Sequence, residues 1–453
     1  MTADVVVIGA GVAGLSAAVR MIDAGLRVVV VEEGPRLGGR ATAFTDRESG
    51  ERVDNGQHVL FGCYRDTYAF LRRLGTDSLA PLQRRLALTM VGPDGRPSRL
   101  ECPEWRPPWH LVGGALRWSA LRLSDRLSAL RLRTVLNDVR REGAAAVAAR
   151  VPPDLTVSAW LEANGQAAGL TKWLWHPLAI AALNQSPEEA AAAPFVRVLG
   201  ELFGPKVEDS AVGMSSVPLD ELYAVPAMRL IESSGGAVLK KSPARIQIGG
   251  GGAIACVETG ATRIHAPVVV SAVPWHALGR IWQTGVPAVL QPIVDNATAL
   301  GSSPIVTVNL WFDGAVMSQP FVGLIGGPMH WAFDKSAIFG ERAGHLSIVA
   351  SGAVGLAEMD NAAITAAARR QLETALPKTA TTRLLRSVVV REHRATFSLA
   401  PGGPPRPSAA TELKGFYLAG DWTDTGLPGT IEGAVRSGNT AADLIIERRS
   451  SGT

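Results

Sequence analysis

The fold of this chain is decided by residues 5–40, VVVIGAGVAGLSAAVRMIDAGLRVVVVEEGPRLGGR. The apolar run Val5–Ile8 predicts a buried parallel strand, and a helical pattern follows it up to Gly25. A second β-branched run, Val28–Val31, ends in the acidic residue Glu32. A strand, a glycine-rich turn, a helix and a second strand in this order predict the start of a doubly wound α/β domain.

The turn between the first strand and the helix carries a phosphate-binding pattern. Gly9, Gly11 and Gly14 form G-x-G-x-x-G. Such glycines let the backbone turn tightly, approach a pyrophosphate and pack helix against strand, while the helix N-terminus offers free N–H groups. Glu32 stands where a carboxylate accepts a hydrogen bond from a ribose 2′-OH. The segment therefore predicts a dinucleotide site for a ribose without a 2′-phosphate.

Two further segments extend this site. Gly38-Gly39-Arg40 brings backbone close to the cofactor, and Arg40 can pair with phosphate. Near the other end of the chain, a strand-like run ends at Asp421, where a carboxylate can bind cofactor hydroxyls. The final helix opens after Thr430, so its positive end can face a ring that gathers negative charge on reduction.

Composition limits the class of protein. A chain of 453 residues is long enough for two domains, and its net charge of +4 is too small to argue for nucleic acid. Cys63, Cys102 and Cys256 are scattered, which indicates a reducing compartment and neither disulfides nor a metal site. We expect no signal peptide, and no charge-free apolar run reaches the ~18 residues of a membrane span.

The pattern divides the chain into two interleaved domains. Residues 1–75, 222–290 and 400–449 are predicted to form the dinucleotide-binding α/β domain, and residues 76–221 and 291–399 a discontinuous α+β substrate domain. Between residues 76 and 220, Trp, Leu, Arg and Ala recur with helical periodicity. Other predicted elements are a three-stranded meander over 238–248, 253–257 and 262–265, strands over 268–273, 305–312 and 345–351, and a helix over 361–375.

The motifs at the two ends of the chain together resemble the phytoene desaturase and amine oxidase superfamily of FAD enzymes. More narrowly, DNGQH at 54–58 and AALN at 181–184 resemble the hydroxysqualene dehydroxylase family. Further matching segments lie at 61–64, 177–178, 217–222, 304–308, 395–397, 419–423 and 432–438, so the likeness spans almost the whole chain. One departure is Gly429, where the family is expected to have alanine.

The resemblance implies a Rossmann-type domain that binds FAD without a covalent bond. It implies that Val238 adds a backbone contact to adenine and that the DNGQH loop lies near the flavin. The predicted FAD contacts are Gly9, Gly11, Ala13, Gly14, Glu32, Glu33, Gly38, Gly39, Arg40, Gly56, Gln57, His58, Val238, Gly420, Asp421, Thr430, Ile431, Glu432 and Ala434.

The resemblance also implies a reaction. Such enzymes convert hydroxysqualene to squalene in a bacterial route to hopanoids, with hydride passing from reduced flavin N5 to an allylic cation. An unidentified electron donor must reduce the flavin. The alternatives are a desaturase or isomerase acting on another polyprenoid, an amine oxidase, and a non-catalytic flavoprotein that carries lipid. An amine oxidase is less favoured because four tyrosines in all suggest no aromatic cage.

Candidates for the acid that protonates the substrate hydroxyl are few. His58 is either a proton donor or substrate-orienting group, or a structural histidine that holds its loop. Asp54 is more simply explained as a cap of the same loop. Glu432 either contacts the flavin or stabilises the final helix. Asn184 and Gln185 are either polar groups of a substrate tunnel or a helix C-cap.

A segment rich in Trp, Leu and Arg, residues 105–133, suits either an interfacial helix or a solvated helical pair. Its apolar members include Leu121, Leu123 and Leu127. A hydrocarbon substrate favours the interfacial interpretation. We therefore expect a cytoplasmic protein that binds peripherally to the inner face of the cytoplasmic membrane.

Overall fold

The computed structural model of the chain describes residues 1–48, 50–340 and 343–451. Its strands, in chain order, are β1 (Val5–Ile8), β2 (Val28–Val31), β3 (Ala43–Thr45), β4 (Arg52–Asp54), β5 (Val59–Phe61), β6 (Ala87–Val91), β7 (Pro97–Glu101), β8 (Val212–Met214), β9 (Ala237–Leu239), β10 (Ala244–Ile248), β11 (Ile254–Thr259), β12 (Thr262–Ile264), β13 (Val268–Ser271), β14 (Ser302–Phe312), β15 (Phe321–Leu324), β16 (Trp331–Asp334), β17 (His345–Ser351), β18 (Leu384–Phe397) and β19 (Phe416–Leu418).

The α-helices of the same residues are α1 (Val12–Asp23), α2 (Arg65–Leu74), α3 (Trp109–Arg117), α4 (Leu123–Ser128), α5 (Arg133–Glu142), α6 (Ala144–Ala149), α7 (Val157–Ala163), α8 (Ala168–Leu170), α9 (His176–Leu183), α10 (Ala192–Leu202), α11 (Val225–Ser233), α12 (Gln291–Ala299), α13 (Lys335–Phe339), α14 (Val354–Ala357), α15 (Asn361–Ala375), α16 (Lys378–Thr381) and α17 (Ile431–Ser450).

A five-stranded parallel sheet gathers distant parts of the chain, in the order β19-β13-β1-β2-β9. Strand β1 lies in the middle, with Val5 aligned to Val28 on one side and to Val268 on the other. Every residue of β1 and β2 is buried, as expected for a parallel sheet covered on both faces. Helix α1 packs against α17 and α11. The predicted Rossmann-type α/β fold is thus confirmed.

The glycine pattern has a packing reason as well as a binding one. Gly9 has a φ of +104°, and a Cβ there would lie 2.8 Å from the carbonyl oxygen of Ala272. A Cβ on Gly14 would lie 2.0 Å from the carbonyl oxygen of Gly9. These glycines let the turn close and bring α1 against the sheet.

A seven-stranded sheet forms the second layer, in the order β18-β14-β17-β16-β15-β6-β7. Strands β6 and β7 lie in the region where we predicted helices, so that part of the prediction is wrong. They form a hairpin around Pro93-Asp94-Gly95, with Gly95 at a φ of +77°. The proline and glycine of this turn are the sequence signal that could have revealed it.

The two faces of the seven-stranded sheet have different partners. Val306, Val308 and Leu310 of β14 belong to a core shared with helix α15. On the opposite face, Met90, Phe321, Phe333 and Val349 belong to a core shared with buried residues from the helical region 109–202, among them Trp118, Leu132, Trp175 and Phe195. Since side chains alternate along a strand, the face toward the helical region can also form a wall of the site.

The predicted meander is confirmed over most of its length as the sheet β10-β11-β12. Its first run, 238–248, however, splits into two strands with different roles. Strand β9 joins the parallel sheet beside β2, whereas β10 starts the meander. The break falls between Leu239 and Ala244, where Lys241 has a φ of +54° and Pro243 lacks a backbone N–H.

Candidate functional site

One cavity of ≈ 720 Å³ extends from the five-stranded parallel sheet to the seven-stranded sheet. At one end it is lined by the carboxyl ends of β1 and β2 and by the N-terminus of α1, including Gly9, Gly11 and Glu32. At the other end its walls are apolar side chains from the seven-stranded sheet and the helical region. A polar dinucleotide site and an apolar chamber therefore share one continuous space.

The carboxylate of Glu32 is held in place by backbone groups of the protein. Its two oxygens accept hydrogen bonds from the backbone N–H of Ala10 at 2.9 Å and of Gly34 at 2.8 Å. Each carboxylate oxygen has a further lone pair, so the group can still accept from a hydroxyl. This geometry suits the predicted bond to a ribose 2′-OH.

Glycine backbone lines the place where a pyrophosphate would lie. Gly11 forms a bridge with Gly38, and a Cβ on Gly39 would lie 3.2 Å from the Cα of Gly11. Gly11 is also the N-cap of α1, with no side-chain hydrogen bond to the first turn of the helix. A cradle of bare backbone at a helix N-terminus fits a dinucleotide, because the N–H groups stay available to phosphate oxygens.

Arg40 and Asp421, predicted to contact the cofactor separately, contact each other. One guanidinium nitrogen of Arg40 lies 2.5 Å from Asp421, a second donates to the carbonyl oxygen of Ala395 at 2.7 Å, and the group lies 5.4 Å from the ring centre of Trp275. Both residues line the cavity. The pair therefore holds the β19 end against the glycine loop, and its role as a cofactor contact stays a prediction.

The predicted flavin end is built from the DNGQH loop and the start of α17. Gly56, Gln57 and His58 line the cavity, as do Thr430, Ile431 and Ala434. The hydroxyl of Thr430 caps α17 by accepting a hydrogen bond from the N–H of Gly433 at 3.0 Å. The helix N-terminus therefore faces the cavity, where its partial positive charge favours an anionic group.

The structure favours the structural interpretation of His58. Its Nδ1 lies 2.9 Å from the carbonyl oxygen of Gly56, so Nδ1 carries the proton and Nε2 is left as an acceptor. Burial lowers the pKa of His58, and the hydrogen bond to Gly56 opposes this only in part. A neutral ring with a bare Nε2 is a base rather than an acid at neutral pH.

Three residues of the predicted FAD set do not line the cavity: Gly14, Val238 and Glu432. Gly14 serves the packing of α1. Val238 lies inside β9, and the cavity wall beyond that strand is formed by Ser242, Ala244 and Arg245. The predicted contacts of these three residues with FAD stay predictions.

Glu432 turns away from the cavity toward helix α2. Its carboxylate accepts from the backbone N–H groups of Asp66 and Thr67 and from the hydroxyl of Thr67 at 2.8–3.1 Å. It also pairs with Arg436. Glu432 thus stabilises the start of α2, while burial raises its pKa.

The apolar chamber contains residues that sequence reasoning missed. Its walls include Leu88 and Met90 of β6, Trp331 and Phe333 of β16, and Phe321. All five lie on strands whose side chains alternate between two faces, and the signal for them is that period of two. The chain does not reveal in advance which of the two faces meets the helical region.

Asn184 is the C-cap of helix α9 and also lines the cavity, with its polar atoms bonded to neighbouring residues. It has a φ of +53°, its side-chain amide donates to Ser303 and Thr396, and its oxygen accepts from the N–H of Gly352 at 2.7 Å. Gln185 is likewise bound to residues 398 and 399. The C-cap alternative is confirmed for Asn184, and the AALN segment ties α9 to the seven-stranded sheet.

The segment 105–133 has two faces. On its inner side, Leu111, Ala115 and Leu132 line the cavity. On its outer side, six large apolar side chains are exposed: Trp105, Trp109, Leu116, Leu123, Leu127 and Leu130. Among the described residues, none of the segment's six arginines forms an ion pair with a carboxylate. The segment is therefore a thin layer between the apolar chamber and the surface.

Two details refine the prediction for this segment. Leu121, expected at the surface, is 2% exposed. The only acidic residue of the segment, Asp125, is buried and accepts from the backbone N–H groups of Arg122 and Gly169. Within the described ranges, no helix is both long and apolar enough to span a bilayer.

The family model for flavin-containing amine oxidoreductases matches residues 12–446. A hydroxysqualene dehydroxylase from Sinorhizobium fredii is 29% identical, over 98% of this chain and 99% of that protein. A zeta-carotene desaturase from Zea mays is 26% identical, over 97% of this chain and 83% of that protein. The solved structure of cyclohexylamine oxidase from Brevibacterium oxydans superimposes with a TM-score of 0.71 at 18% identity, covering 99% of each chain.

These matches and the cavity agree on the cofactor. The glycine cradle, the fixed Glu32 carboxylate and the helix end at Thr430 fit the parts of FAD, and the family is a flavin family. The predicted FAD and the predicted superfamily are thus confirmed, while the separate residue contacts stay predictions.

Proposed function

Because this chain belongs to the flavin-containing amine oxidoreductase family, we propose that it is the FAD-dependent enzyme that removes the hydroxyl of hydroxysqualene to give squalene. The observation that carries this proposal is the continuity of the dinucleotide site with a deep apolar chamber. Similarity to a protein named hydroxysqualene dehydroxylase along almost its full length supports the same substrate.

The proposed reaction replaces a C–O bond by a C–H bond. The allylic hydroxyl takes up a proton and leaves as water, and the resulting allylic cation accepts a hydride. When bound and reduced, FAD supplies that hydride. An allylic alcohol, a proton and a hydride therefore give the alkene and water, and an electron donor outside this chain must restore the reduced cofactor.

The chain's own residues hold the hydrocarbon and keep the reacting end free of bulk water. Trp331, Phe333 and Leu88 contribute apolar surface to the chamber. Burial raises the pKa of Tyr64 and lowers that of His58, so both side chains are neutral around neutral pH. These two neutral side chains therefore add no full positive charge that would oppose a cation at the reacting carbon.

Membrane binding is part of the proposal. Squalene and hydroxysqualene are nearly insoluble in water, and the layer 105–133 separates the chamber from an exposed surface of tryptophan, leucine and arginine. We propose that this surface docks on the inner, anionic face of the cytoplasmic membrane and that substrate enters the chamber there. We also propose that the squalene formed in this way is used to make hopanoids.

Anaerobic turnover tests the reaction. The purified protein is reduced chemically, mixed with hydroxysqualene, and the extracted lipids are analysed for squalene while flavin reoxidation is followed. We expect one squalene per flavin in a single turnover. Flavin that stays reduced with hydroxysqualene unchanged would refute the proposal.

Similarity to a zeta-carotene desaturase supports a second candidate, a desaturase of another polyprenoid. Such an enzyme moves hydride from substrate to oxidised flavin, the reverse direction. Incubating the oxidised protein with phytoene or zeta-carotene separates the two, because only a desaturase would bleach its flavin and extend the conjugated system.

A further inference from the structure

A buried lysine, Lys335, binds two residues of the DNGQH loop, which lines the predicted flavin end of the cavity. Lys335 is 1% exposed. Its Nζ lies 2.8 Å from Oδ2 of Asp54 and 2.6 Å from Oε1 of Gln57, and 3.8 Å from the ring centre of Phe339. Lys335 comes from the substrate domain, whereas Asp54 and Gln57 belong to the DNGQH loop.

Hydrogen bonds within and around the DNGQH loop connect Lys335 to the cavity wall. The other oxygen of Asp54 accepts the backbone N–H of Leu219 at 3.1 Å, which fixes the start of the loop. The side-chain amide of Gln57 donates to the carbonyl oxygen of His58 at 3.2 Å. Gln57 and His58 line the cavity, whereas Lys335 and Asp54 lie behind them. The lysine thus acts on the cavity through the loop.

The same lysine is continuous with the apolar wall. It directly follows strand β16, on which Trp331 and Phe333 line the chamber. One short stretch, 331–335, therefore contacts the substrate side of the cavity and holds the cofactor side. Residues 331–335 therefore set the distance between the apolar wall of the chamber and the DNGQH loop.

We infer that Lys335 is a positioning residue, which holds Gln57 and His58 at the flavin end of the cavity and fixes their place relative to the apolar wall. The inference rests on the proposed function only for its effect on the rate. Its effect on the environment of the bound flavin follows from the fold and the cofactor alone.

A single substitution cannot test this, because removing one member of a buried ion pair leaves an unpaired charge and destabilises the fold. The pair is therefore removed together in Lys335→Met/Asp54→Asn. Asparagine keeps an oxygen that can accept the N–H of Leu219, and methionine keeps the volume of the lysine chain. The double variant then lacks the hydrogen bond from Lys335 to Gln57 and the contact with Phe339, while neither charge of the ion pair remains. Lys414→Met, at an exposed lysine, is the matched control.

The experiment compares four FAD-loaded proteins: the parent, Lys335→Met, the double variant and the control. Thermal unfolding, visible circular dichroism of the bound flavin, and single-turnover flavin reoxidation by hydroxysqualene are measured for each. We expect Lys335→Met to lower Tm and the double variant to recover most of it. The double variant should nevertheless show an altered flavin dichroism and a rate at least tenfold lower, with substrate affinity nearly unchanged.

Recovery of both Tm and the parent dichroism in the double variant would overturn the inference and leave Lys335 a stabilising residue only. An altered dichroism with an unchanged rate would overturn the link to the reaction. If the parent does not react with hydroxysqualene, the proposed function fails, yet the dichroism still decides whether the lysine positions the loop.

Discussion

The exposed surface of segment 105–133 predicts how strongly the protein binds to a membrane. Leu123, Leu127 and Leu130 are 69%, 49% and 39% exposed on its outer side. Replacing all three by serine should weaken binding to anionic liposomes while the cofactor stays bound. Leu121 is left unchanged because it is buried, and a serine there would damage the core.

The expected magnitude follows from the exposed fractions. Burying a whole leucine side chain contributes about 2 kcal/mol, so inserting these three fractions into the acyl layer contributes about 3 kcal/mol. Serine gains almost nothing there. The triple variant should therefore bind liposomes about 100-fold more weakly. The unpaired arginines add roughly 1 kcal/mol each near an anionic surface, so binding by the parent should also fall as salt rises.

Co-sedimentation with liposomes of defined anionic content measures the effect. The matched control is Val289→Ser/Val354→Ser/Leu385→Ser, since these side chains are 47%, 62% and 53% exposed and lie outside the segment. FAD content and Tm are measured on both variants to verify folding. Parent-like co-sedimentation of the leucine variant, or an equal loss in the control, would refute docking through this surface.

The remaining predictions concern the cofactor and stability. Glu32→Ala should weaken FAD retention by about 1–2 kcal/mol, measured by flavin content after dialysis; unchanged content would mean that Glu32 does not bind the ribose. Acid or heat denaturation should release free FAD into the supernatant, whereas flavin in the precipitate would indicate a covalent bond. Gly14→Ala should destabilise the fold by about 2 kcal/mol, because a Cβ would lie 2.0 Å from the carbonyl oxygen of Gly9; a denaturant titration checks this. Burial lowers the pKa of His330 to about 4 and of His345 to about 3. The unfolded chain therefore binds more protons than the folded one below pH 6.5, and Tm should fall steadily from pH 7 to pH 4; a flat profile would contradict their buried, neutral state.

Much of the cofactor domain could be predicted from local pattern. Strands β1 and β2 begin and end where the β-branched runs do, and the glycines between them have the spacing that a tight strand-to-helix turn needs. Helix α15 and strand β17 likewise match their predicted bounds. These features depend on neighbours a few residues apart, whose periodicity and backbone freedom are written directly in the sequence.

Only the tertiary structure decided which partners the polar groups have. Glu432 was consistent with a flavin contact or a helix end, and packing placed it on the N-terminus of α2. Arg40 meets Asp421, and Lys335 meets Asp54, across hundreds of residues. A charged residue type fits many roles, and only the close packing of distant segments decides which partners a buried charge has. For the same reason, sequence indicated an apolar segment at 105–133, whereas the fold decided which of its leucines face the chamber and which face outward.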